Sequence, residues 1–349
     1  MSGKRLHWID VAKGLLAIMV VYSHIRGQAS SLGYNDSAID GIDLFSNLFV
    51  PFFMPCFFVI TGFCSNFEKS FKSFVFASIK GLIIPAFVFS FFFSGAYKVS
   101  NITLFKDFIK SFLYFGGNYW FLSAMFIARL SYWTIKRITH NSVFISILCC
   151  LSFILGFLLR QLPRDFEYWW FVHALLMIPY LRLGDCFRHI STEKEISRSI
   201  PYTVLCYILV LSLTILLTKT GLLKIDSYYY VPGITQRLFN INLSMLLPLV
   251  ALSTIGSFTI LGMSKSISSN SFLEYLGQNS LVVYCIQGYV LNKTLSLSIS
   301  ISHMVGINYQ SFAVSLLLII LSFIASLVVC TIVSWVINLK YIRILIGKF

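Results

Sequence analysis

Apolar runs of about twenty residues recur along the chain, separated by short polar segments. An α-helix needs about that length to cross a bilayer core of roughly 30 Å. Ten such runs are predicted as membrane-spanning helices, at 8–25, 44–65, 75–97, 112–135, 142–160, 168–187, 202–219, 238–262, 276–294 and 312–338. The fourth and ninth contain "FGGNYWFL" and "YLGQNS", whose glycines and asparagines predict broken or re-entrant segments. No repeat of solenoid period and no Gly/Ser-rich linker divides the series. The longest polar stretch, around 182–200, is too short for a soluble domain. The expectation is an all-α integral membrane protein, with about ten transmembrane helices in one bundle and a single domain over 1–349.

Composition sharpens that picture. Of the 349 residues, 57% are hydrophobic and 11% charged, against about 25% charged in a soluble globular protein. The net charge of +14 reports topology. With the N-terminus placed inside, fifteen of the 27 Lys and Arg fall on cytoplasmic loops and ten outside, leaving Lys13 and Arg129 within spans. That bias follows the positive-inside rule and places both termini in the cytoplasm. Basic residues scattered over loops imply orientation and anionic membrane lipid, not nucleic acid. Lys4 and Arg5 before an apolar run resemble a signal peptide. Asp10 and Lys13 interrupt that run and no small-residue cleavage site follows, so a retained anchor is expected. The eight cysteines show no CxxC pair and no His at metal spacing, so neither a disulfide framework nor a metal site is expected.

The candidate chemistry lies in "DVAKGLLAIMVVYSH", Asp10 to His24. Translocon-type scales place the cost of an Asp or Lys at a helix centre near 2.5–3.5 kcal/mol, so such residues need partners or a wet cavity. Lys13 and His24 are eleven apart, three helical turns, and nearly eclipsed; Asp10 lies at i,i+3 from Lys13, within reach of an ion pair. The three line one stripe, with His24 about 16 Å beyond Lys13 along the axis. Separately, each has a bland reading: an interfacial histidine, a snorkelling lysine, a structural pair. On one face, together, they favour a functional track.

Other features are weighed likewise. Arg129 in "WFLSAMFIARLSYW" reads either as an anion contact for a phosphorylated ligand or as a neutralising partner for Asp10. His173 is read as a belt histidine, and the clusters "YWW" (168–170) and "YYY" (228–230) as interfacial aromatic belts. Lys69, Lys72 and Lys80 make a basic cytoplasmic mouth beside the third span, suited to an anionic cofactor.

These residues resemble a known family. "DVAKGLLAIMVVYSH" is similar to the first helix of the membrane acyltransferase-3 family, especially its fucose-4-O-acetylase-like branch. That family carries a basic residue, ten intervening positions and then His, as Lys13 and His24 do. "PFFMPCFFVITGF" (51–63) resembles its Phe-His-Met-Pro-Leu-Phe-Phe…Ser-Gly-Tyr signature, and "KGLIIPAF" (80–87) its basic-Leu-Leu-Ile-Pro-Tyr segment. "GGNYWFLSAMF" (116–126) resembles its Trp-Phe-Leu segment, and "YLGQNSLVVYCIQ" (275–287) its late Leu-Gly-x-x-Ser-Leu-x-Ile-Tyr-x-x-His motif. The matches run in family order over roughly 10–295. Phe53 and Gln287 stand where the motifs often have His, Thr61 where Ser is usual, and Lys80 alone where many members have an Arg pair.

The resemblance implies transfer of an acyl group, usually acetyl, from cytoplasmic acetyl-CoA to a sugar hydroxyl. The acceptor would be a surface polysaccharide or its lipid-linked precursor at the bacterial plasma membrane. His24 is then the general base or a transient acyl carrier. Lys13, with Lys72, Lys80 and Arg129, would hold the CoA phosphates, Asp10 would orient Lys13, and Asn118 and Trp120 would shape the donor channel. A transporter or flippase of a lipid-linked glycan is the rival reading, its intramembrane charges marking a translocation path; a non-catalytic scaffold is a third.

Overall fold

A computed structural model of the chain describes residues 5–46, 48–93, 102–117, 119–159, 170–190, 193–219 and 243–339. Among the described residues there is no strand. The helices are α1 (His7–Ser23), α2 (Ile25–Ser31), α3 (Asp36–Ser46), α4 (Phe53–Cys64), α5 (Phe71–Ser78), α6 (Ile84–Phe93), α7 (Ile102–Phe115) and α8 (Trp120–Ile138). They continue with α9 (Ser142–Leu159), α10 (Phe171–Ile190), α11 (Glu193–Lys219), α12 (Leu243–Ile267), α13 (Ser271–Gln278), α14 (Ser280–Val305) and α15 (Phe312–Ile337).

Five helical stretches among the described residues are long and apolar enough to cross a membrane: His7–Ser31, Phe71–Phe93, Ser142–Leu159, Val250–Ile267 and Phe312–Ile337. They match the first, third, fifth, eighth and tenth predicted spans. Of the rest, the sixth and seventh fall on single helices, α10 and α11, and the other three are broken for physical reasons. The run 44–65 is not one helix: α3 ends at Ser46, residues 48–52 are turns, and α4 has only twelve residues. Pro51 supplies no N–H and disfavours helical backbone just before it. The run 112–135 divides between α7 and α8, because Gly116 and Gly117 adopt φ of 74° and 80°, left-handed values that favour glycine. The run 276–294 divides at Asn279, between α13 and α14. In α11 the apolar stretch among the described side chains is Pro201–Leu213. The third span is continuous but contains one π-helical turn, Ile79–Ile83, just before Pro85. A proline there deprives a carbonyl one turn back of its donor, and a widened turn absorbs the defect.

The chain forms two compact units. The first contains α1–α3, the start of α4, α11, most of α12, and α13–α15. Within it α1 packs on α13 with almost no intervening side chain. A Cβ at Gly14 would collide with the Leu273 backbone, and one at Gly277 with the Asp10 carbonyl. Close approach through small residues is how helices associate where surrounding lipid removes the hydrophobic drive. His7 Nδ1 adds a hydrogen bond with Glu274 Oε2 at 2.7 Å. Farther along, Ile25, Ala29, Tyr34, Leu291, Leu295 and Ile319 form a buried cluster, and Thr294 Oγ1 meets Ser326 Oγ at 2.7 Å to join α14 to α15.

The second unit contains the rest of α4 and α5–α10. α4 crosses α10 at Gly62 and Gly184, where a Cβ would strike the Leu181 and Val59 carbonyls. Above that crossing lies a buried charge cluster. Asp185 Oδ2 accepts from Tyr132 Oη at 2.7 Å and Lys136 Nζ at 3.3 Å, with Arg182 Nη1 at 3.9 Å. Lys136 also pairs with Glu68 at 3.0 Å.

Candidate active site

His24 stands at the junction of α1 and α2. Its φ of −90° and ψ of −7° relax the helix without ending it, for the Gln28 N–H still donates to the His24 carbonyl at 3.2 Å. Its Nδ1 lies 2.8 Å from the Val20 carbonyl oxygen and 3.3 Å from Ser23 Oγ. A carbonyl can only accept, so Nδ1 carries the proton and the neutral ring keeps its lone pair on Nε2. The imidazole is exposed, and Nε2 has no hydrogen-bond partner among the described residues. The backbone thus selects the tautomer and leaves the basic nitrogen available.

About four turns earlier, Asp10 is buried, its Oδ2 accepting from Arg5 Nε at 2.6 Å while Lys13 Nζ lies 3.8 Å from Oδ1. The predicted pairing of Asp10 with Lys13 is present, but the shorter bond is to Arg5, which sequence reasoning had counted only as a topology signal. A second acidic cluster follows His24: Arg26 Nη1 meets Asp43 Oδ2 at 2.6 Å and Asp40 Oδ1 at 3.3 Å, and Ser46 Oγ donates to Asp43 Oδ1 at 2.9 Å. It secures α3 against the end of the first span.

The other candidates lie in the second unit. Lys72 is exposed on α5. Lys80 occupies the π turn, its ammonium 5.2 Å from the Phe76 ring centre. Arg129 on α8 sits 5.1 Å over the Phe74 ring, with its Nε buried and without a hydrogen-bond partner, and it makes no ion pair among the described residues. The partner of Asp10 is therefore Arg5 with Lys13. Trp120 opens α8 within an aromatic group: Trp170 lies 6.4 Å away and His173 5.5 Å away, and Trp170 and His173 are 5.1 Å apart. His173 is buried there, where a belt histidine would face the membrane surface. Asn118, Tyr168, Trp169 and the 228–230 tyrosines lie outside the described residues. Sequence reasoning missed Asp185 altogether, although Arg182 at i−3 and Arg188 at i+3 were visible signals. It also missed the need for glycine at 14 and 277. Among the described residues no three His, Cys, Asp or Glu side chains gather to hold a metal ion.

Fold and site together define a multi-pass helical membrane protein whose first span carries a buried ion cluster and an accessible, tautomerically fixed imidazole. Residues 6–338 match the acyltransferase-3 family model, described as an acyltransferase domain, and the chain belongs to that family. No curated protein and no solved structure matches it. Membership makes acyl transfer the general activity.

Proposed function

We propose that the protein transfers an acetyl group from cytoplasmic acetyl-CoA to a hydroxyl of a cell-surface polysaccharide or its lipid-linked precursor. The observation that carries the reading is the exposed His24, its Nε2 left as a lone pair by the Nδ1 bond to Val20, three turns along one helix from Lys13. In this reading the chain is one acyltransferase domain in a bacterial plasma membrane, of the fucose-4-O-acetylase-like branch. Its ten passes, some broken, leave both termini in the cytoplasm. Lys13 then lies toward the inner leaflet and His24 about 16 Å farther out.

In direct transfer, Nε2 takes the proton of the acceptor hydroxyl as its oxygen bonds to the thioester carbonyl carbon. The carbon–sulfur bond then breaks, and the imidazolium returns the proton to the departing thiolate. In the relay version Nε2 itself attacks the thioester and releases CoA. The acceptor oxygen then displaces the imidazole, and the hydroxyl proton leaves with solvent. Nδ1 stays bonded to Val20 throughout the direct route, and its peptide dipole stabilises the imidazolium. Lys13 contributes positive charge for the CoA phosphates, with Asp10 and Arg5 fixing its position. Lys72, Lys80 and Arg129 are the further phosphate contacts, and Trp120 with Asn118 shapes the donor channel.

The test is radiolabelled acetyl-CoA supplied to membranes containing the protein and the cognate glycan. The expected product is glycan bearing base-labile, ester-linked label. Unlabelled glycan that nevertheless crosses the membrane would instead mark a transporter, and label retained with His24→Ala would remove His24 from the mechanism.

A further inference from the structure

The α1–α2 stretch and α14 run side by side in the same direction. Near the start of both, the Asp10 carbonyl rests on Gly277, just ahead of α14. Farther along, Asn292 Nδ2 donates to Gln28 Oε1 at 2.8 Å. Around that pair Ile25 and Ala29 pack with Leu291 and Leu295, all four at most 1% exposed. One turn before it, at i−4 on each helix, stand His24 and Gly288. Residues four apart share a helix face, so Gly288 faces the first span at the height of the imidazole.

The glycines of these helices fall into two kinds. At Gly14 and Gly277 a Cβ would collide with backbone, because the helices touch there. At Gly288 a Cβ would meet nothing within 4 Å among the described residues. Glycine inside a helix costs about 1 kcal/mol relative to alanine, and helix packing gives no reason for it at 288. His24, exposed, and Gly288, bare on the face it presents, therefore stand at one height on the two helices. Beside them the Gln28–Asn292 pair leaves one amide donor, Gln28 Nε2, and one acceptor, Asn292 Oδ1, unspent among the described residues. That combination suits vicinal hydroxyls, which both donate and accept.

Resting on the acyl-transfer reading, we propose that Gly288 is a specificity-determining position. It holds open the slot through which a neutral, polyhydroxylated acceptor brings a hydroxyl to Nε2 of His24, and its missing side chain sets the slot width.

The full-length protein in detergent, as wild type, Gly288→Ala and Gly288→Leu, tests this by two readouts. The first is carbethoxylation by diethyl pyrocarbonate, followed residue by residue by mass spectrometry. Gly288→Leu is expected to slow modification of His24 at least tenfold and leave His303, exposed near the end of the same helix, unchanged as internal control. The second is steady-state transfer: KM for the glycan is expected to rise at least tenfold in Gly288→Leu, with KM for acetyl-CoA within twofold. Gly288→Ala should lie between the two and melt no lower than wild type, since its methyl enters open space. Unchanged His24 modification in Gly288→Leu, or a lowered melting temperature in Gly288→Ala, would overturn the slot. Blocked modification in a protein whose wild type transfers no acyl group would uphold the slot and overturn the enzymatic reading.

Discussion

Two regions of this molecule hold charge among apolar helices, and they dispose of it in opposite ways. Around Asp185, Tyr132 and Lys136 of α8 donate to one carboxylate oxygen, Arg182 stands 3.9 Å from it and donates to Ser142 and Ser146, and the second partner of Lys136 is Glu68 at the surface. Each charge is answered within the cluster, which ties α8 to α10 beside the glycine crossing with α4. On the first span the balance is left incomplete. Asp10 is answered by Arg5 and Lys13, but Lys13 is only loosely engaged at 3.8 Å, and the Nε2 of His24 has no partner among the described residues. The difference teaches how to separate structural from chemical polarity in a membrane chain. A buried charge whose valences are all met reports packing, and a group whose neighbours fix its orientation while leaving one lone pair over is set up to react.

The contrast breaks most sharply by mutation at its two centres. His24→Ala is expected to lower acyl transfer by about 10²–10⁴-fold, the usual contribution of a positioned general base. The melting temperature should barely change, because the ring is exposed and bonds only locally. Labelled product formed per mole of folded protein measures this. Asp185→Asn should do the reverse. It leaves Lys136 and Arg182 without their shared carboxylate, at a cost of about 3–5 kcal/mol of stability, while molecules that remain folded turn over normally. Thermal unfolding in detergent, paired with activity of the monodisperse fraction, separates the two effects. If Asp185→Asn abolished turnover without lowering stability, the cluster would be part of the reaction machinery and the division drawn above would fail.

Smaller changes sharpen the comparison. On the proposed function, Lys13→Gln would remove a charged contact to the donor, an interaction of about 1.5–3 kcal/mol. KM for acetyl-CoA should therefore rise by roughly 10–150-fold, with kcat and the acceptor KM nearly unchanged. The smallest effect concerns pH. A hydrogen bond and the charge of Lys136 hold the Glu68 carboxyl below its usual range. A depressed folded-state pKa stabilises fully above the unfolded value of about 4.5 and is lost as pH falls through the folded value. Because the Glu68 side chain is 67% exposed, screening limits this to less than about 1 kcal/mol. Melting curves of wild type and Glu68→Gln should differ slightly near pH 7 and merge below pH 4.5.

How much of this was legible in the sequence depended on the range of the interactions involved. The spans built on α1, α9 and α15 follow from local hydropathy alone. So does the Asp10–Lys13–His24 stripe, since all three residues ride one helix whose period is known. The breaks at Gly116–Gly117 and at Asn279 were foreseeable from turn chemistry, and both lie where the runs were expected to be irregular. The break ahead of Pro51 was equally local, but the continuous apolar run of 44–65 concealed it. Long-range pairings were out of reach. Nothing around Gly277 announces that the Asp10 backbone will rest on it. Nothing around Asp185 says that Tyr132 and Lys136, about fifty positions earlier, will be its donors. The same limit applied at His24: its spacing from Lys13 was plain, but the tautomer rests on a bond to Val20 that only coordinates reveal. Arg5 is the instructive omission, because its proximity to Asp10 was readable and was put down to topology.

The central claim is that the Nε2 of His24 does the chemistry. The most direct measurement is chemical rescue: His24→Gly, assayed for acetyl transfer to glycan with increasing imidazole in the medium. A base or acyl carrier at that position predicts at least a hundredfold loss without imidazole and a saturable, imidazole-dependent recovery. Transfer by His24→Gly at a rate within twofold of wild type, indifferent to imidazole, would contradict the account.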